Sequence, residues 1–282
     1  ITACALPVQA QTLQLTDAGM TLERQQFSEN VEITGSMNHS QEGVEALHIL
    51  GSDFAKDLVF NATITSTHSS GGGIDMDSWY NPNPSNGDVM WANNTIGGNL
   101  INKGSVSSQG NGATAWLIDP AVVGGDVINE GLLSAKGEPD VGEDDRDVSR
   151  AAYISGSTHI NGDFKNTASG KIIAEGTDAK AFQMEGGQLD GRFINNGLIQ
   201  VTGVGSTAVD VTSSERWNGV SNVNDRADVR GIENNGTIIA MGEDAEGIRA
   251  DGVSFASEQA HIVNNGLIQT QDAAIVIGGF DI

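Results

Sequence analysis

The sequence predicts an all-β chain wound as a right-handed parallel β-helix, a β-solenoid of about eight three-sided coils. The period is ~27–29 residues, with three loop insertions. Three observations lead to this. The hexapeptide NNGLIQ occurs at Asn195–Gln200 and again at Asn264–Gln269. Short alternating apolar segments are separated throughout by Gly, Asn and Asp turns. Like residues also return one full period away, which stacked coils require and successive antiparallel hairpins do not.

The repeat has two columns that can be read independently. In the first, an apolar residue precedes Asn-x-Gly at Ile101–Gly104, Ile128–Gly131, Ile194–Gly197 and Val263–Gly266, with Glu233–Gly236, Lys165–Gly170 and Phe60–Thr63 as looser copies. Its asparagines are Asn61, Asn102, Asn129, Asn166, Asn195, Asn234 and Asn264. They are expected to line one corner, where asparagine tolerates a left-handed turn and each amide can bond to the copy above and below.

The second column reads small, large apolar, free, apolar. Its large members are Leu47, Ile74, Trp116, Tyr153, Phe182, Val209, Ile248 and Ile275, spaced by 27, 42, 37, 29, 27, 39 and 27 positions. These are the expected core ladder, each worth ~1.5–3 kcal/mol when fully buried. A third strand runs into the asparagine, as in Ile96–Asn102, Val123–Asn129, Ile160–Asn166 and Leu189–Asn195.

Composition narrows the function. Glycine, at 37 of 282 residues, is nearly twice its usual ~7%, as many short strands and turns demand. A net charge of −23 with only 14 Lys+Arg repels phosphate and anionic lipid, so no nucleic-acid partner is expected. No apolar run approaches the ~20 residues of a membrane helix, so this chain is not expected to insert in a membrane.

Residues 1–10, carrying the single cysteine Cys4, read as the remnant of a signal peptide ending at Val8-Gln9-Ala10. A lipoprotein box at Ile1–Cys4 is the alternative, and both imply export. Residues 11–30 are expected to be an N-terminal cap and 31–282 the solenoid repeats.

The outward positions beside the core ladder are His48, Asp75, Leu117, Ile154, Gln183, Asp210, Arg249 and Val276. No two adjacent coils pair acids there, and Asp210/Arg249 and Asp163/Arg192 are expected as exposed ion pairs worth ~0–1 kcal/mol. The five histidines share no nucleophile motif with a serine, and G-x-S-x-G is absent. No catalytic residue, metal ligand or cofactor is therefore expected. The acidic insertion at 138–149 lacks the EF-hand spacing and reads as a solvated loop rather than a calcium site.

Two other insertions, roughly 77–95 and 212–228, carry Trp79, Tyr80, Trp91 and Trp217. Both leave after the second strand, at the same corner. Aromatic faces rimmed by Asn, Asp and Ser suit stacking on sugar rings, so these four are the candidate ligand-binding residues. A loop that buries its own tryptophan is the competing reading of the same residues.

With its Asn-Asn-Gly repeats, export remnant and cysteine-free coils, the chain over about 31–282 resembles the passenger region of bacterial autotransporters, the type V secretion family. That resemblance implies a β-helix carried through the outer membrane by a C-terminal β-barrel and displayed for adhesion, aggregation or, less often, hydrolysis. The chain stops at Val276–Ile282 in mid-coil, so it reads as a fragment without the barrel. The expected function is a cell-surface or secreted structural or adhesive passenger, with coils as spacer and loops touching a glycan or cell-surface partner. A β-helix polysaccharide lyase or glycoside hydrolase is the alternative. An uncovered last coil exposes strand edges, so self-association through the solenoid ends is expected; sedimentation of a clean monomer at high concentration would count against it.

Overall fold

The computed structural model describes residues 11–41, 44–67, 72–81, 91–139, 148–217, 222–225, 227–255 and 261–279, with no side-chain detail for 215–226. Within them the chain is all β, with no helix and hence none long and apolar enough to cross a membrane. Twenty-eight strands form one sheet in which every pairing is parallel and links a strand to its copy one coil away. The parallel β-helix is thereby established.

Each coil carries four strand segments rather than the expected three. The asparagine column stacks Gln11–Gln14 on residues 31–34, 58–61, 100–102 and onward to Ile262–Asn264. A second column follows the asparagine turn and includes Ser105–Gln109, Leu132–Lys136, Lys171–Glu175, Leu198–Thr202 and Thr237–Met241. The core-ladder column runs from Met20–Glu23 through Leu47–Leu50 and Gly72–Asp77 to Ile275–Ile277. The fourth is short, as at Asp53–Phe54, Asn94–Ile96 and Ala121–Val123. The expected third strand merged this column with the next, because apolar residues continue across turns such as Gly97-Gly98 and Gly124-Gly125.

The segment expected as a cap is itself a rung. Gln11–Gln14, Met20–Glu23 and Gln26–Phe27 each pair in parallel with the corresponding strand of the next coil. The core-ladder column therefore has nine rungs, from Met20 to Ile275. At the last, Leu267, Ile275 and Ile277 are exposed.

Seven of the eight expected ladder residues stack as read. Tyr153 does not: Ala152 lies between Trp116 and Phe182, while Tyr153 pairs with Leu117 and Gln183 on the outer wall. Ile154, expected outside, is buried in the core. The run Ala151-Ala152-Tyr153-Ile154 admits two frames one residue apart, and a one-residue slip exchanges the faces. Burying Ile154 leaves the tyrosine hydroxyl outside, where it can be satisfied. In the same coil as the small Ala152, Phe164 is buried with its ring 4.6 Å from Phe182 and 5.4 Å from Phe193.

The asparagine corner is a continuous hydrogen-bonded file. Each Nδ2 donates to the next Oδ1, from Asn102 to Asn129 (2.8 Å), Asn166 (2.9 Å), Asn195 (2.8 Å), Asn234 (2.7 Å) and Asn264 (2.7 Å). Asn102, Asn129, Asn166, Asn195 and Asn234 are buried. Asn61 is not in the file: Phe60 takes that register position, and Asn61 is exposed and donates to Glu32. Nor does the corner use left-handed asparagine, since the described non-glycine residues with positive φ are Arg24, Asp178 and Asp244. Glycine is required there by proximity instead. A Cβ on Gly131 would sit 1.9 Å from the carbonyl oxygen of Gly104 in the coil beneath.

Asn166→Ala should remove two links of this file, leaving the buried Asn129 amide with its longer contacts to the Gly131 and Lys171 carbonyls and the Asn195 carbonyl with the Gly197 N–H, at a cost of about 1–3 kcal/mol. Asn235→Ala, in the exposed outer file Asn196–Asn235–Asn265, should cost under ~0.5 kcal/mol. Urea midpoints of the two variants measure the difference.

Candidate functional site

Alternation along the core-ladder column sends every second side chain outward, and stacking places them in one row: His48, Asp75, Leu117, Tyr153, Gln183, Asp210 and Arg249. Such a row was expected to be solvated. Instead Asp75, Gln183 and Asp210 are buried, together with flanking Arg150 and Lys180.

At one end of the row Asp75 is surrounded by acids. Glu45 precedes the strand of the coil below, while Asp77 and Asp119 are register partners two positions along. Burial, then Glu45, Asp77 and Asp119 in turn, push the Asp75 carboxyl up to about 8. His48 lies between two carboxylates, with Nδ1 3.8 Å from Glu45 Oε2 and Nε2 3.8 Å from Asp75 Oδ2. One ligating atom from each of Glu45, His48 and Asp75 falls within a mutual 4.8 Å. His48 and Asp75 are neighbours in the outward column, and no metal ligand was expected among them. Glu45 lies before the strand, and no local spacing motif joins it to a residue 30 positions away. Stacking brings them together.

The middle of the row is internally satisfied. Arg150 Nε donates to Gln183 Oε1 (2.6 Å), and its guanidinium lies 4.7 Å from the Tyr153 ring centre. Tyr153 Oη donates to Glu185 Oε2 (3.0 Å), and burial, then Glu185, raises its phenol above the ordinary range.

At the far end Lys180 Nζ donates to Thr207 Oγ1 (2.9 Å) and lies 3.8 Å from Asp210 Oδ2. Arg249, the expected partner of Asp210, has its Nε 3.4 Å from Glu246 instead. Likewise Arg192 Nη1 meets Glu233 (3.3 Å), while the Asp163 side chain accepts the Arg192 backbone N–H (2.9 Å) and pairs with Lys165 (3.0 Å). Asp163 belongs to a corner file with Asp57, Asn99 and Asp126, in which each side chain accepts the backbone N–H of the next coil.

The four candidate aromatics divide. Trp79–Tyr80 and Trp91–Ala92 pair antiparallel at the base of the first insertion. Trp79 is an anchor: its Nε1 donates to Glu23 (2.7 Å), and the Arg24 guanidinium lies 4.2 Å over its ring. Tyr80 and Trp91 project, 48% and 58% exposed, with ring centres 4.3 Å apart and planes tilted by 34°. Buried Asn94 holds the loop's exit, donating to the Asp77 and Ile49 carbonyls (2.9 and 3.0 Å) and accepting from Ser52 N (2.9 Å).

Trp217 ends the antiparallel strand Ser214–Trp217, paired with Asn222–Asp225, but its side chain lies outside the described residues. Both aromatic insertions leave between the core-ladder and short columns, as read from sequence. Most of the acidic insertion, including 140–147, lies outside the described residues.

Comparison with protein-family models, curated proteins and solved structures returns no match.

Burial raises the Asp210 carboxyl; Lys180 and Arg249 oppose the rise, Glu246 and Glu185 add to it. The folded chain thus holds a proton that the unfolded chain releases near pH 3.8, and stability from this group falls as pH rises through the folded value. Asp210→Asn should flatten that fall, by at most ~1.4 kcal/mol per pH unit within the window. Urea midpoints from pH 4.5 to 8 should converge toward acid pH relative to those of the native chain; parallel profiles would show that Asp210 does not titrate this way.

Proposed function

We propose that the protein is an exported, surface-displayed passenger of the autotransporter type, whose coils serve as a spacer and whose first insertion contacts a glycan or another cell-surface partner. The observation that carries this reading is the Tyr80–Trp91 pair. Two large aromatic rings lean against each other, both well exposed to solvent, on a hairpin whose third aromatic, Trp79, is tied to Glu23 and Arg24 two coils below. An anchored base with a projecting aromatic surface lowers the ordering cost of binding, and such faces stack on the apolar side of a sugar ring. The strongly acidic charge favours an uncharged or cationic partner over an anionic polymer.

A polysaccharide lyase or hydrolase is the second reading, favoured by the acids gathered around Asp75 with Arg150 and Tyr153 further along the same wall. The burial of Asp75 and Arg150 weighs against it, since a polymer must reach the reacting groups.

Glycan-array binding by the native chain should weaken roughly tenfold or more, about 1.4 kcal/mol, in Tyr80→Ala and in Trp91→Ala. No glycan bound, or binding unchanged in both variants, removes the glycan reading. Release of new reducing ends or unsaturated uronides from a polysaccharide would favour the enzyme instead.

A further inference from the structure

We propose that Glu45, His48 and Asp75 form a binding site for a divalent transition-metal ion, with zinc the best match to the donor set. The inference is independent of the adhesive reading and concerns a different part of the coil surface.

Two observations support it separately. The first is placement: one atom from each residue lies within 4.8 Å of the other two, in a group contributed by two stacked coils. The second is that the buried polar atoms of the group are unsatisfied. Asp75 is 9% exposed, and its Oδ1 has no hydrogen-bond partner; His48 Nε2 is likewise buried and unpartnered. Native interiors rarely leave such atoms without a proton, water or ion.

The spacing suits an ion better than direct contact. At 3.8 Å the His48–Glu45 and His48–Asp75 approaches are too long for hydrogen bonds. Two ligands each ~2.1 Å from a tetrahedral ion stand about 3.4 Å apart; since the ion takes one ring nitrogen of His48, one carboxylate meets it near the 3.8 Å approach and the other closes in from within 4.8 Å by a rotamer change. An imidazole nitrogen with carboxylate oxygens selects zinc and its neighbours over calcium or magnesium, which prefer all-oxygen shells. The carboxylates of Asp77 and Asp119 add negative charge around it. The His48 side chain, 25% exposed, leaves a route for the ion and an open coordination position for water or a partner's ligand.

The test uses the full chain after chelator treatment, titrated with ZnCl2, MgCl2 and CaCl2 at pH 7.5 by calorimetry, with thermal melts in parallel. One zinc per chain with micromolar or tighter affinity, and a Tm raised by several degrees, is expected. His48→Gln and Asp75→Asn should each weaken binding at least thirtyfold. Glu45→Gln, at a side chain 26% exposed, should weaken it while keeping the native far-ultraviolet spectrum, so that a failure to fold in either other variant does not blur the result. His159→Gln, a surface histidine elsewhere, should bind as the native chain does. No zinc binding, zinc binding unchanged by Glu45→Gln and His48→Gln, or tighter binding of calcium than of zinc would each overturn the proposal.

Discussion

Every structural choice in this protein follows from stacking each coil directly on its own copy. Backbone N–H and C=O groups bond along the axis, so two coils meet at the strand spacing of ~4.8 Å all round. A side chain then has its counterpart above and below at that same distance. For apolar side chains this means a continuous core without a globular centre, running from Leu15 to Phe255. A buried polar side chain can take its copy as partner. Asparagine meets the condition because its amide donates and accepts at once, so a file of them satisfies each buried member with the next. The close approach also explains the glycine that follows: at Gly131 a carbonyl of the coil beneath occupies the place of a Cβ.

This constraint made the architecture legible in the sequence. Stacking in register demands like residues at one period, and the asparagine and core-ladder columns display them over most of the chain. Errors occurred where one residue of slip leaves the pattern plausible. Asn61 matches the asparagine column by type, yet its neighbour Phe60 holds the register. Tyr153 matches the core ladder by size, yet Ala152 holds it. In both cases the neighbouring rungs decide. Phe60 packs edge-on against Trp116, with ring centres 5.8 Å apart, and Phe164, in the coil of Ala152, packs against Phe182. Such packing between columns has no signature within either column alone.

The outer wall was far less legible. Periodicity tells which side chains point outward, but exposure depends on what neighbouring coils and their turns place over them. Asp75 and Asp210 occupy equivalent outward positions, and both are buried with raised carboxyls. Their surroundings differ in sign. Asp75 faces Glu45, Asp77 and Asp119, whereas Asp210 has Lys180 and Arg249 to offset Glu246 and Glu185. One end of the wall therefore lacks positive charge while the other supplies its own. The aromatic insertions show the same limit: composition grouped Trp79 with Tyr80 and Trp91, whereas an indole N–H bonded to Glu23 separates an anchor from a contact surface.

The acid-rich end and the aromatic hairpin are mechanically connected. Gly72–Asp77 carries Asp75 and leads through Ser78 directly into Trp79–Tyr80. The hairpin rests on the two preceding coils: Glu23 and Arg24 hold Trp79, and a Cβ on Gly51 would come 2.7 Å from the Trp79 Cβ. Its orientation thus depends on how the first three rungs sit relative to one another. Glu45 and His48 belong to the second of these rungs and Asp75 to the third, so a cation held among them would brace the junction from which the hairpin emerges. Repulsion among the same carboxylates, left uncompensated, would loosen it. On this geometry a cation among Glu45, His48 and Asp75 would act on the exposed aromatic pair through the rungs on which the hairpin rests.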